Sequence, residues 1–311
     1  MVRGTMELAI HPDDAPPLEI VLREELAAAV TALETVSPIL QHLIGPGSNA
    51  LFGDEVIAGV RGMAEDLARQ LLAAAEDAES GTEARSALIA NLTANVALIG
   101  HLHALSLEWQ LARRIQARLS LDPVLTPLLQ DLIASPNPET STLAMQFLAG
   151  QARFCQMQRR MQLPLQELPD DLLQVAQQIF RATFEHFDLA SGDEYGIRGG
   201  QGETPGRLEL AQRLIAGMGG EADAALSVGN AGIALFLTAV SMGAGQDRDL
   251  SVLTMTESQV PRLALVLRAS GLKQAQVEEQ FLALHPDISL PEGFERLSPD
   301  EAAAILAAVR D

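Results

Sequence analysis

Between Asp188 and Gly206 a carboxylate set, a phenol and a guanidinium fall close together: Asp188, Asp193, Glu194, Tyr195 and Arg198, interspersed with six glycines. Acid, base and cation in one stretch could move protons on a bound substrate. The same composition also describes a solvated loop, so Asp193, Glu194, Tyr195 and Arg198 are carried as a candidate loop site only. Two arginine groups offer a different chemistry. Arg113, Arg114 and Arg118 close one long helical pattern, and Arg153, Arg159 and Arg160 close another. Cations suit helix C-termini, and two such clusters brought close in space would anchor an acidic partner protein. His101 and His103 stand two apart on a helix, so they face different directions and cannot share one metal. His101 on a long helix could also accept a phosphoryl group, but no phosphotransfer signature surrounds it.

The single cysteine, Cys155, excludes an intramolecular disulfide and a multi-thiolate zinc site. Its place on an apolar stripe reads as a buried thiol. A Walker glycine loop, a His-Glu-x-x-His pair, a Gly-x-Ser-x-Gly elbow and a dinucleotide fingerprint are all lacking. No catalytic residue, metal ligand or cofactor is therefore assigned, and the reading is of a non-enzyme.

The elements that would position these groups read as helices. Hydrophobic residues make up 48% of the 311 but aromatics only 4%, so the core is built from aliphatic side chains, which favours helix over sheet. With 21 basic against 41 acidic residues, the formal charge of -20 opposes nucleic-acid binding. Neither a signal peptide nor a membrane-spanning apolar run is evident, which leads to the expectation of a cytoplasmic protein.

Four regions follow from the pattern: a lead-in over 1–17, a helical bundle over 18–190, a glycine-rich linker over 191–206, and a helical-repeat domain over 207–311. In the bundle, helices carry the stripes Leu22, Leu26, Val30, Leu33 and Val56, Val60, Met63, Leu67, Leu71. A spine from Thr82 to about Leu119 follows, breakable near Asn91 to Asn95, with Leu98, Leu102, Leu105, Trp109 and Ala112 inward. Two helices then meet at a Pro-Asn-Pro corner. The first starts at Asp122-Pro123 with Val124, Leu125, Leu128, Leu129, Leu132 and Ile133 on one face. The second starts at Asn137-Pro138 with Leu143, Phe147, Leu148, Ala152 and Cys155. A further helix is introduced by Leu168-Pro169-Asp170. Beyond the linker, Gly219, Gly245 and Gly271 recur at a spacing of 26 residues, each ending a helix, as short α-solenoid units do; coincidental glycine caps are the competing reading. Ser298-Pro299-Asp300-Glu301 is a capping box that opens the last helix.

Several segments also resemble a known family. The run from Gly100 to Ala112, then Leu121-Asp122-Pro123-Val124-Leu125, Ala152-Arg153-Phe154 and Gln158-Arg159-Arg160-Met161, are similar to the DUF2336 class of helical proteins seen mainly in alphaproteobacteria. Ala244 to Leu250 and Val277 to Pro286 resemble the same class, so the likeness runs from roughly Leu88 to the C-terminus. It implies HEAT-like helical packing and no established activity.

Together these readings predict an all-α protein, a helical bundle followed by HEAT-like helical pairs. They point to a non-catalytic protein-protein interaction or regulatory scaffold, with a protein partner and self-association left open. The alternative is a small-molecule or signal sensor with a pocket between helices.

Overall fold

The computed structural model describes residues 18–36, 39, 54–74, 82–185, 205–290 and 293–308. All regular elements among the described residues are helical. They are α1 (Leu18–Glu34), α2 (Asp54–Ala74), α3 (Thr82–Ala94), α4 (Val96–Leu119), α5 (Pro127–Ile133), α6 (Pro138–Gln158), α7 (Asp170–Glu185), α8 (Arg207–Met218), α9 (Val228–Gly243), α10 (Arg248–Thr254), α11 (Val260–Ala269), α12 (Gln274–Leu284) and α13 (Pro299–Ala307). Short 3-10 turns lie at Leu165–Glu167, Gly219–Leu226, Glu257–Gln259 and Phe294–Arg296. The lead-in over 1–17 and most of the linker over 191–206 fall outside the described residues.

The spine expected from Thr82 to Leu119 is two helices. Asn95 breaks it: its side chain accepts the Leu98 N–H as an N-cap, and α3 meets α4 at 84°. α4 is then buried on two sides at once. Leu98, Ile99, Leu102, Leu105 and Trp109 enter one core with α2, α3 and α7. Ala104, Leu111, Ala112 and Ile115 enter a second core with α1, α5, α6 and α8 to α13. Each fully buried leucine in these layers contributes roughly 2 kcal/mol of apolar transfer free energy. A helix apolar on one stripe would serve one core; α4 serves two because apolar residues occupy two of its faces, Leu98, Leu102, Leu105 and Trp109 on one and Ala104, Leu111 and Ile115 on the other.

The cores divide along α4 and not at 191–206, which corrects the separation of a bundle over 18–190 from a repeat domain over 207–311. α1 shows why. Its Leu22 and Leu26 are buried against the C-terminal helices, and the Gln259 side chain donates to the Ala29 carbonyl at 2.6 Å. Helices from both ends of the chain share that core.

The corner after α4 differs from expectation in its first helix. α5 begins at Pro127, because Thr126 caps it through an acceptor bond from the Leu129 N–H. Asp122 instead closes a turn, accepting from Val124 and Leu125 N–H, and Leu125 is left exposed. The second helix starts where predicted: Asn137 accepts from Glu139 and Thr140 N–H. Its buried face is Ala144, Phe147, Gln151, Phe154, Cys155 and Gln158, with Ala152 turned out.

Gly219, Gly245 and Gly271 all have positive φ, at 55°, 58° and 96°. Gly245 and Gly271 each close a helix with the paired bonds of a Schellman turn, whereas Gly219 opens the 3-10 turn Gly219–Leu226. At the same 26-residue spacing, Ala211, Leu237 and Leu263, and likewise Leu214, Val240 and Val266, are all buried. The terminators recur at fixed spacing while the elements between them vary in length. The capping box forms as predicted, with Glu301 N–H donating to Ser298 Oγ and Ser298 N–H to Glu301 Oε2.

Candidate functional site

Four stretches of chain converge on a broad cleft of about 2400 Å³. They are the start of α4, the turn Leu165–Glu167 with the first half of α7, the start of α8, and the junction of α9 with α10, with Arg153, Phe154 and Met157 of α6 completing the wall. Each is held by local chemistry. Gln70 of α2 fixes the 3-10 turn, accepting the Leu165 N–H at 3.0 Å and donating to the Leu163 carbonyl at 2.8 Å. Asp247 caps α10 by accepting from Asp249 and Leu250 N–H.

Beside the cleft lies a charge network centred on Glu108, which is 1% exposed. Arg207, the first residue of α8, clamps the carboxylate through Nη1 to Oε1 at 2.6 Å and Nη2 to Oε2 at 3.2 Å. Arg248, the first residue of α10, donates from Nη1 to Oε2 at 2.9 Å. Arg207 Nη1 also donates to Gln151, and Arg248 donates to Thr238 and the Ala234 carbonyl, while Arg207 Nε is buried without a hydrogen-bond partner among the described residues. The Arg207 guanidinium carbon also sits 3.7 Å from the centre of the Phe154 ring. Glu167 approaches Arg207 Nε at 3.9 Å.

Electrostatics fixes the charge states. Burial alone would raise the Glu108 pKa, but attraction to Arg207 and Arg248 and their hydrogen bonds outweigh it and bring it down to about 2. Burial opposes the Arg207 charge too, yet Glu108 raises its pKa above the ordinary value. Glu167 is raised, chiefly by burial, with Arg207 and Arg153 partly offsetting. A carboxylate locked in its ionised form and a guanidinium locked in its protonated form hold structure together but exchange no protons near neutrality.

His101 lies next to this network. It is buried, and its Nδ1 is 2.7 Å from Asp249 Oδ2, which ties α4 to α10. Its Nε2 is buried without a hydrogen-bond partner among the described residues. Burial speaks against phosphoryl transfer from solvent. His103 is desolvated and its pKa falls to about 4, so it is neutral at pH 7. The Cys155 thiol is raised by burial to about 11, in keeping with a core thiol. Trp109 is core at 8% exposure, as expected.

The six arginines do not form one anchor. Arg153 lines the cleft. Arg113 and Arg159 border a separate pocket, where Arg113 pairs with Glu55. Arg118 donates to the Ala283 carbonyl at 2.7 Å, and both Arg114 and Arg118 lie close enough to His285 to lower its pKa, behind the larger effect of burial. Arg160 is exposed at the end of α6. The loop candidates Asp193, Glu194, Tyr195 and Arg198 lie outside the described residues. Among the described residues no group of three or more His, Cys, Asp or Glu could hold a metal ion, and no single helix is long and apolar enough to cross a membrane.

Reading the sequence alone missed Glu108, Arg207 and Arg248. A signal was present. Arg207 follows Gly206 and Arg248 follows Asp247, so each cation occupies the first turn of a helix, where the dipole disfavours it. Such a placement needs a carboxylate elsewhere, and Glu108 stands alone among the apolar residues of α4. Comparison of the chain with protein-family models, with curated proteins and with solved structures gives no match.

Proposed function

We propose that the protein is a non-catalytic interaction module, working in the cytoplasm, whose cleft receives a segment of a partner protein. The observation that carries this reading is the cleft itself. Its volume of about 2400 Å³ exceeds the range of small-molecule sites and suits a polypeptide. Exposed apolar side chains, Val96 and Met242, lie among charged groups of both signs, including Arg153, Arg213, Asp170 and Asp171. That combination of apolar anchors and polar rim is what a protein interface offers. The charged residues beneath are engaged with one another, which gives the docking face a rigid support in place of a reactive centre. Membership of the DUF2336 class and a short α-solenoid arrangement over 207–311 belong to this proposal. They rest on the segments quoted above and on the glycine spacing.

The test is affinity capture with the intact chain and with a variant carrying Gln177→Trp and Gln212→Trp, both cleft residues. The proposal expects a specific protein bound by the intact chain and lost from the variant, with helical content equal in the two. Retention of the same partner by the blocked cleft contradicts it.

A further inference from the structure

A second, smaller pocket of about 330 Å³ lies between α2, α4 and the end of α6, and no residue lines both it and the cleft. Its lining includes Ser106, Trp109, Arg113, Gln158, Arg159 and Met161. The size is that of a small-ligand site. Three independent features point to an occupant.

The first is backbone conformation. α6 ends in a Schellman turn, with Gln162 N–H donating to the Met157 carbonyl and Met161 N–H to that of Gln158, each at 3.0 Å. The left-handed position of that turn normally belongs to glycine, yet here it is Met161, with φ 55°. The neighbouring helix is adapted to it, since a Cβ on Gly62 would lie 2.6 Å from the Met161 Cβ. Strain tolerated to keep one side chain at a pocket wall marks a functional position.

The second is the Gln158 amide, which is 5% exposed and donates only to the Met63 thioether at 3.2 Å, a weak acceptor. The third is charge. Arg113 is neutralised by Glu55, but Arg159 forms no ion pair among the described residues. In a chain of formal charge -20, a guanidinium left uncompensated beside an aromatic wall selects an anion with an apolar body.

We infer that this pocket binds a small aromatic carboxylate. Its ring rests against Trp109 and the Met161 thioether, and its carboxylate pairs with Arg159, with Gln158 and Ser106 as further polar partners. This site is independent of the cleft and of any partner protein bound there.

Trp109 is the single tryptophan, so its emission reports the pocket directly. The full chain is titrated with phenylacetate and, separately, with its neutral counterpart phenylacetamide. Expected is a saturable change of Trp109 emission with phenylacetate, at least about tenfold weaker binding of the amide, and a loss of about tenfold or more in Arg159→Gln. Arg153→Gln, which alters the cleft, binds phenylacetate as the parent does. Met161→Gly, which relaxes the turn, keeps the melting temperature and weakens binding. The inference is overturned if phenylacetate gives no saturable change, if the amide binds equally, or if Arg159→Gln is without effect in a variant whose circular dichroism matches the parent.

Discussion

Replacing Glu108 by glutamine would leave Arg207 and Arg248 charged, buried and facing a neutral amide. Removal of one partner from a buried ion pair costs about 3–5 kcal/mol, because the remaining charge is desolvated without compensation. Glu108→Gln should therefore lower the unfolding free energy measured by urea titration by an amount in that range at pH 7. The pH dependence has a definite sign. Folding depresses the Glu108 pKa from 4.5 to about 2, so its stabilisation is complete above pH 4.5 and is lost as the pH falls towards 2. The variant should show a flatter stability profile over that window. His103 acts earlier on acidification. Burial lowers its pKa from 6.5 to about 4, so the unfolded chain takes up the proton first and stability declines between those values. His103→Leu should remove that decline, worth up to roughly 3 kcal/mol, in the same titration. At this scale the sequence announced bulk and burial better than charge. Trp109 and Cys155 lie in the core as their stripes imply. The role of Glu108 depends on two arginines 99 and 140 positions away, and no local period encodes such a separation.

Among the elements, α9 shows how a single position can set a path. Gly232 has φ 69° and ψ 171°, which kinks the first turn away from the body of the helix. A Cβ there would also lie 2.4 Å from the Thr126 methyl of the α5 cap. Gly232→Ala is thus opposed twice, by backbone conformation and by contact, and should destabilise by about 2 kcal/mol or more. Thr126→Ser keeps the capping hydroxyl and removes the methyl, so the alanine should cost less in that background, as a double-mutant cycle on thermal unfolding would register. Helix starts were legible at the cap-and-proline pairs Asn137-Pro138 and Ser298-Pro299. They misled at Asp122-Pro123, where Thr126-Pro127 offers the same chemistry four residues later and the side chain of Asp122 is already used by the turn.

For the whole molecule, the helical period along the chain predicts the all-α class, but the grouping of helices into cores lies in tertiary contacts. The glycine-rich stretch over 191–206 looks like a boundary in composition. Both cores nevertheless meet on α4, and Glu108, Arg207 and Arg248 fasten the later helices to it across that stretch. The cleft forms where these fastened pieces meet, so its shape comes from distant segments and was not visible in any one of them. A photo-reactive residue placed at exposed Gln212 in the cleft, and for comparison at exposed Glu279 on α12, tests the central claim most directly in cells of the protein's own source. The account predicts a discrete covalent adduct with one partner protein from position 212 and none from 279; no adduct from 212, or the same adducts from both, would contradict it.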